Sequence, residues 1–229
     1  VWAEENTRES IFSSFRRKET YATSGNRIRL RFFGGFDLQE LDLSSEQLVK
    51  EAYKRAVPMG SDLIAKEGKP PSFLIWAQKD QRATSLQRLQ IIKGWTDTAD
   101  GSTHEKIYDA ACSDGLKVNK QTHRCPDNCA KVNLTDCSVS NVGAAELKTV
   151  WTDPEFNPNE DAFYYVRVLE NPSCRWTAWD AVNNQRKPRV DLNLITQDRA
   201  WSSPIWYVPN STTTADWIGN YDPAEDSTL

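Results

Sequence analysis

One stretch in the second half of the chain decides the fold: Asp161-Ala162-Phe163-Tyr164-Tyr165-Val166-Arg167-Val168. Aromatic and β-branched residues favour a strand because they pack well on a pleated surface. A second stretch, Arg27-Ile28-Arg29-Leu30-Arg31-Phe32, alternates strictly between charged and apolar side chains. A period of two predicts a strand whose apolar side chains face a core while its arginines face water or an acidic surface.

Further strands are predicted on both sides of these two stretches. They cover residues 73–79, 86–95, 103–109, 145–151 and 203–208. Loops rather than helices separate most of them, and strands connected in this way usually pair antiparallel. We therefore predict a mainly β fold, an antiparallel β-sandwich of immunoglobulin-like general architecture, with residues 162–169 as a middle strand.

A helix is predicted before the first strand, over residues 6–19. Asn6 is placed to cap it, with Glu9 three residues later. An apolar stripe at helical spacing contains Ile11, Phe12 and Phe15. An isolated helix of this length is marginal in water, so the stripe must pack on another surface.

A shorter helix is predicted over residues 45–56, started by Ser44 with Gln47 in capping-box register. Pro58 and Gly60 follow its end. Its buried side would carry Leu48, Val49, Ala52 and Tyr53.

Composition excludes several classes of function. The chain has 28 basic and 32 acidic residues, a net charge of −4, which excludes a protein whose main role is to neutralise nucleic-acid phosphates. No apolar run approaches the roughly 20 residues of a membrane span. Only two histidines, His104 and His123, are present, so this chain alone cannot build a metal site from several imidazoles. Each reads as an ordinary surface or hydrogen-bonded residue.

Cysteine usage indicates an oxidising compartment, the periplasm or the cell exterior. The five cysteines are Cys112, Cys125, Cys129, Cys137 and Cys174. Four lie in a polar loop at 110–140 that has no helical or strand period, so disulfides are its natural support. Zinc ligation and free buried thiols are the alternatives, although there is no second close pair like Cys125 and Cys129. One cysteine is left over, and the pairing stays open.

Catalytic motifs are sparse. The sequence has no glycine-rich phosphate loop, no Gly-x-Ser-x-Gly elbow and no His-Glu-x-x-His motif. Trp176 and Trp179 could stack on a sugar or a base, but a buried aromatic cluster beneath a turn is the more ordinary interpretation.

Three long stretches resemble one bacterial, mostly exported family, the domain of unknown function numbered thirty-six hundred and four. They are residues 2–9 (WAEENTRE) running into 17–25 (RKETYATSG), residues 164–176 (YYVRVLENPSCRW) and residues 199–207 (RAWSSPIWY). The family looks related to PHP-type and carbaryl-hydrolase-like metallohydrolases, whose distorted α/β barrel binds divalent metals through His, Asp and Glu.

The resemblance implies a division of the chain into three parts. Residues 1–25 would be the last helix and closing segment of an upstream barrel, 26–208 the β-sandwich, and 209–229 a polar tail that frays unless Trp217 docks it. Glu5, Asn6 and Arg8 would lie near a substrate, because the active side of such a barrel faces the helix N-terminus.

These features support two hypotheses of function. The sequence begins at Val1 without a methionine, which favours a piece of a longer product. In the first hypothesis, the chain is the accessory C-terminal portion of a secreted hydrolase of ester or phosphoester bonds. No cofactor is then expected in this chain, divalent metals bind only the full-length protein, and the partner is the upstream barrel or another copy.

In the second hypothesis, the chain is a stand-alone extracellular module that binds carbohydrate or protein through exposed tryptophans. Neither involves nucleic acid or a membrane span.

Overall fold

The fold is mainly β in a computed structural model that describes residues 1–66 and 68–209. The predictions of a polar tail beyond Pro209 and of a docking role for Trp217 fall outside this range. The described strands are β1 (Tyr21–Thr23), β2 (Arg29–Gly35), β3 (Ala56–Pro58), β4 (Asp62–Ile64), β5 (Ser72–Gln78), β6 (Leu86–Thr96), β7 (Thr103–Cys112), β8 (Glu146–Thr152), β9 (Ala162–Glu170), β10 (Ser173–Cys174), β11 (Ile195–Thr196), β12 (Arg199–Ser202) and β13 (Ile205–Val208). The described helices are α1 (Arg8–Arg16), α2 (Leu48–Arg55) and α3 (Trp176–Asn183).

The larger sheet is organised around β9, which confirms the middle position predicted for residues 162–169. β6 pairs with one edge of β9, and β7 pairs with the far edge of β6. β12 and β13 lie end to end along the other edge of β9. β1 pairs with β12, and β4 runs parallel to β13. The segment that resembles a barrel closure is therefore hydrogen-bonded into this sheet.

The smaller sheet has the order β3-β2-β5-β8 and is antiparallel throughout. One face packs on the larger sheet, and the alternation predicted for the arginine strand is confirmed because Ile28, Leu30 and Phe32 are buried there. The larger sheet contributes Leu89, Ile91, Tyr164, Val166, Val168 and Ile205 to the same core. The arrangement is sandwich-like, as predicted.

The outer face of the smaller sheet is covered in part. α2 and the segment before it pack on that part through Leu38, Leu41, Leu48 and Ala52, against Phe33 and Leu74 of the sheet. α2 begins at Leu48, later than predicted, and no side chain caps its first turn. Ser44 bonds to Asp42 instead of forming the predicted capping box. Tyr53, predicted to be buried, is 43% exposed.

α1 is shorter than predicted and is capped by a different residue. Thr7 Oγ1, not the Asn6 side chain, accepts a hydrogen bond from the Ser10 N–H at 3.2 Å. The helix meets the sandwich through Ser14, whose hydroxyl donates to the Trp2 carbonyl at 2.8 Å. The predicted apolar stripe faces outward, with Phe12 60% and Phe15 57% exposed.

Two disulfides hold the polar loop, which confirms the prediction of crosslinks. Cys112 pairs with Cys125, and Cys137 pairs with Cys174 of β10, just before α3. Cys129 is the odd cysteine and is exposed.

Candidate functional site

Beside the part that α2 covers, the outer sheet face carries two rows of polar and aromatic side chains. Arg29 of β2 lies opposite Gln78 of β5, which lies opposite Glu146 of β8. One step along, Arg31, Trp76 and Lys148 form the second row. The second row lies at the edge of the cover, since Trp76 packs against the apolar cluster at α2 and Lys148 Nζ donates to the Leu43 carbonyl at 2.9 Å. We call these six residues the open face. Period-two alternation places them on the side opposite the core.

Hydrogen bonds and an ion pair within the open face hold the Glu146 carboxylate in place. Glu146 accepts hydrogen bonds from Trp76 Nε1 at 2.9 Å and Gln78 Nε2 at 2.8 Å. Lys148 lies 3.3 Å from its other oxygen and 4.3 Å from the centre of the Trp76 ring. Partial burial acts to raise the pKa of Glu146, but the bonds from Gln78 and Trp76 and the charge of Lys148 outweigh it and hold this pKa below its usual value. Glu146 is therefore an anion, and both of its oxygens have protein partners.

Three adjoining cavities run along the open face. The first, of about 1240 Å³, continues from Arg29 and Gln78 to Tyr21 and Asn26. The second, of about 240 Å³, shares Arg29 and Gln78 with it. The third, of about 510 Å³, shares Trp2 and Arg31 with the second. Neighbouring cavities share lining residues and therefore adjoin, with the stacked side chains of Arg31 and Trp2 between the second and the third. We call this row of cavities the groove.

The groove is rich in cations without partners. Arg27, Arg29 and Arg82 line the first cavity, and within residues 1–66 and 68–209 their guanidinium groups form no hydrogen bond and no ion pair. The nearby Asp80 is used by the backbone: its oxygens accept the N–H groups of Arg82 and Arg27, both at 2.9 Å. These bonds, from Arg82 first and then Arg27, hold the pKa of Asp80 below its usual value.

A buried carboxyl lies directly behind the groove. Glu170 is fully buried, and its Oε2 accepts hydrogen bonds from Asn26 Nδ2 at 2.7 Å and Thr84 Oγ1 at 3.3 Å. Its Oε1 has no hydrogen-bond partner in the described part of the chain. Burial, with a smaller contribution from the charge of Asp198, raises the pKa of Glu170 to about 7. Since Asn26 lines the groove, one side chain separates Glu170 from it.

A second cluster of ionisable groups is closed to solvent. Lys93 and Asp153 pair there, and Tyr164 donates to Asp153 at 2.7 Å. Burial, then the charge of Asp153, raises the pKa of Tyr164. Since neither side chain of the ion pair is more than 3% exposed, this cluster supports the fold rather than binding a ligand.

The residues predicted to lie near a substrate are outside the groove. Glu5, Asn6 and Arg8 are exposed before and at the start of α1, and none of them lines the three cavities of the groove. The backbone N–H of Glu5 donates to Ser10 Oγ at 3.2 Å. Their proposed proximity to a substrate stays a prediction.

The tryptophans of α3 are not buried, contrary to the more ordinary interpretation. Trp176 is 71% and Trp179 44% exposed, because Ala178 and Ala181 form the inner side of α3. The two histidines occupy ordinary positions: the His104 ring stacks on Trp95, and the His123 ring packs edge-on against Tyr108.

The described residues contain neither a metal-ligating cluster nor a membrane-spanning helix. Within residues 1–66 and 68–209, no three or more His, Cys, Asp and Glu side chains are grouped so that they could hold a metal ion, so the residues present do not fit a divalent-metal site. In the same residues, no helix has the length and apolar character needed to cross a membrane.

Sequence reasoning missed the open face as a unit. Arg29 and Arg31 were singled out, but Gln78 and Glu146 come from strands 49 or more residues away along the chain. The available signal was the same period of two in β5 and β8, where Trp76 alternates with buried Ile75 and Ala77.

Comparison with known proteins gives one result. Neither the curated proteins nor the solved structures contain a match to this chain. A family model described as "Protein of unknown function (DUF3604)" matches residues 1–209. This match covers nearly all of the 229 residues, including α1, both sheets and the groove. The chain therefore belongs to the DUF3604 family of proteins of unknown function.

Proposed function

We propose that this chain is the accessory C-terminal β-sandwich portion of a secreted, metal-dependent hydrolase of ester or phosphoester bonds, and that it is inactive by itself. The observation that carries the proposal is the outward aromatic face of α1. Membership of the DUF3604 family adds support only through the relation to barrel metallohydrolases that we expect from the sequence motifs.

The aromatic face of α1 needs a partner for physical reasons. Full burial of a phenylalanine side chain is worth about 1.5–3 kcal/mol, and Phe12 and Phe15 leave most of that unused. The inward contact is made by a small polar residue, Ser14. Such a helix is suited to being clamped between two folded units, with the sandwich on the Ser14 side and the upstream barrel on the phenylalanine side.

Secretion fits the crosslinks of the polar loop. Disulfides persist in the periplasm and outside the cell, whereas cytosolic thiols are kept reduced. Two disulfides, Cys112–Cys125 and Cys137–Cys174, are formed here.

The test compares this chain with the product of its complete coding frame. We expect the longer product to bind divalent metal and hydrolyse a phosphodiester or ester substrate, and the 229-residue chain to do neither. In the longer product, Phe12→Ser with Phe15→Ser should lower the melting temperature and the activity, whereas Val190→Ser, at a fully exposed position, should leave both unchanged. Metal-dependent hydrolysis by the 229-residue chain alone would overturn the proposal.

A second candidate function is favoured by the exposure of Trp176 and Trp179. An extracellular module could bind carbohydrate or protein through these two rings, which provide flat apolar surface. Trp176→Ala should then abolish a ligand-dependent change in tryptophan fluorescence, while Trp206→Ala, at a tryptophan that is 45% exposed, should retain it. Flat titrations of the wild type against a broad panel of glycans would remove this candidate.

A further inference from the structure

We propose that the groove over the open face binds an anionic oligosaccharide, a sugar chain that carries carboxylate or sulfate groups. Arg27, Arg29 and Arg82 would pair with the acidic groups, and the Trp76 and Tyr21 side chains would contact the sugar rings. This site is separate from the aromatic face of α1 and from the tryptophans of α3.

Charge selects an anionic ligand. The two carboxylates of the first cavity both have protein donors: Asp80 accepts two backbone amides, and Glu146 accepts Trp76 and Gln78 and pairs with Lys148. Glu4 and Glu19 line only the third cavity, where Glu19 pairs with Arg17. Three guanidinium groups remain without partners in the described residues, and each can donate two parallel hydrogen bonds to a carboxylate or a sulfate. An anion therefore gains contacts here without displacing an existing ion pair.

Shape selects a chain rather than a single ion. The first cavity alone, at about 1240 Å³, exceeds the usual volume of a site for one small molecule, and two more cavities continue it along the sheet. Arg29 lies at the junction of the first and second cavities. A linear ligand lying along the strands would meet Arg27 and Arg82 at one end and Arg31 at the other.

Aromatic and amide groups between the cations select a sugar. Trp76 and Tyr21 are half-buried and line the groove, and Gln78 lies opposite Arg29 in the strand pairing. Aromatic rings present apolar surface to the C–H faces of sugars, and planar polar side chains reach their hydroxyls.

The test is calorimetric titration of the purified chain at low salt with four probes: an oligogalacturonate, a sulfated heparin-type oligosaccharide, neutral cellohexaose and inorganic phosphate. The first two separate carboxylate from sulfate recognition. We expect one of them to bind and both cellohexaose and phosphate to bind at least tenfold more weakly. Arg29→Gln should weaken binding at least tenfold, and the double variant Arg27→Gln with Arg29→Gln should abolish it.

The matched control is Arg186→Gln, which removes the same charge from an exposed position beyond α3. It should bind like the wild type. Equal loss in Arg186→Gln and Arg29→Gln would mean general attraction to cations and would overturn the proposal. Absence of binding by both acidic oligosaccharides, or equal binding of cellohexaose, would overturn it as well. Because Arg29 is exposed and outside the core, its replacement leaves the fold intact, which circular dichroism can verify.

Discussion

The ammonium nitrogen of Lys93 lies 2.6 Å from a carboxylate oxygen of Asp153, and the two side chains are 3% and 0% exposed. Both members of the pair make further hydrogen bonds: Lys93 also donates to the Glu155 carbonyl at 2.8 Å, and Asp153 accepts from Tyr164. Removing one partner of such a buried ion pair lowers the stability of the fold strongly, because the other charge is left buried without compensation.

Asp153→Asn should therefore destabilise the protein by about 3–5 kcal/mol. Urea unfolding at pH 7 measures the change. Lys106→Met, which breaks the partly exposed pair between Lys106 and Glu155, is the control and should cost about 0–1 kcal/mol. Equal effects of the two variants would show that burial does not determine the strength of the Lys93–Asp153 contact.

Glu170 makes stability dependent on pH. Burial raises its pKa to about 7 from 4.5, so the folded state holds the proton more tightly than the unfolded chain. The stabilisation that protonated Glu170 contributes is fully present below about pH 4.5 and is lost as the pH rises through 7. Relative to Glu170→Gln, the free energy of unfolding should fall by on the order of 3 kcal/mol over this range. Urea midpoints of wild type and variant between pH 4.5 and 8 test this.

The control for that series is Glu146→Gln. The pKa of Glu146 lies below its usual value, so its contribution has the opposite sign and is screened by solvent. A parallel pH dependence in wild type and Glu170→Gln would show that Glu170 is ionised in the folded state.

The two disulfides should contribute unequally. Cys137–Cys174 closes a separation of 37 residues and Cys112–Cys125 one of 13. The chain-entropy relation gives about 4 kcal/mol for the first and about 3 kcal/mol for the second. Paired Cys→Ala variants, unfolded in urea without reductant, test the order. Intact mass after native alkylation should show one reactive thiol, Cys129, and a second alkylated thiol would contradict the pairing.

Gly60 holds the chain after α1 against the sandwich. Its φ is +90°, and an added Cβ would lie 2.3 Å from the Lys18 carbonyl oxygen, a backbone atom that cannot move away easily. Gly60→Ala should cost about 3 kcal/mol. Gly101→Ala has a similar φ of +73° but open space around it, and should cost about 1 kcal/mol. The difference between the two losses of unfolding free energy, measured in urea, gives the cost of the steric clash at Gly60.

Local patterns predicted the strands of the sandwich well. The alternation of Ile28, Leu30 and Phe32 is a property of consecutive residues, and so is the aromatic run at 162–169. Short elements such as β3 and β4 were missed because three residues carry too little period to detect. α3 was missed because Arg175, its N-cap residue, provides no capping side chain.

The groove could not be predicted from the sequence, because it depends on register between distant strands. Arg29, Gln78 and Glu146 become neighbours only when β2, β5 and β8 align, and a shift of one residue would turn each to the opposite face. Glu170 is similar: its raised pKa depends on its burial behind Asn26, 144 residues away in sequence.

The disulfide between Cys137 and Cys174 joins the polar loop to β10, directly before α3. A protease that cuts one peptide bond between these cysteines leaves both fragments covalently attached. The same holds for a cut between Cys112 and Cys125. A molecule nicked once in either interval would therefore migrate as a single band on a gel without reductant and as two bands with it, and such resilience suits a protein exposed to secreted proteases.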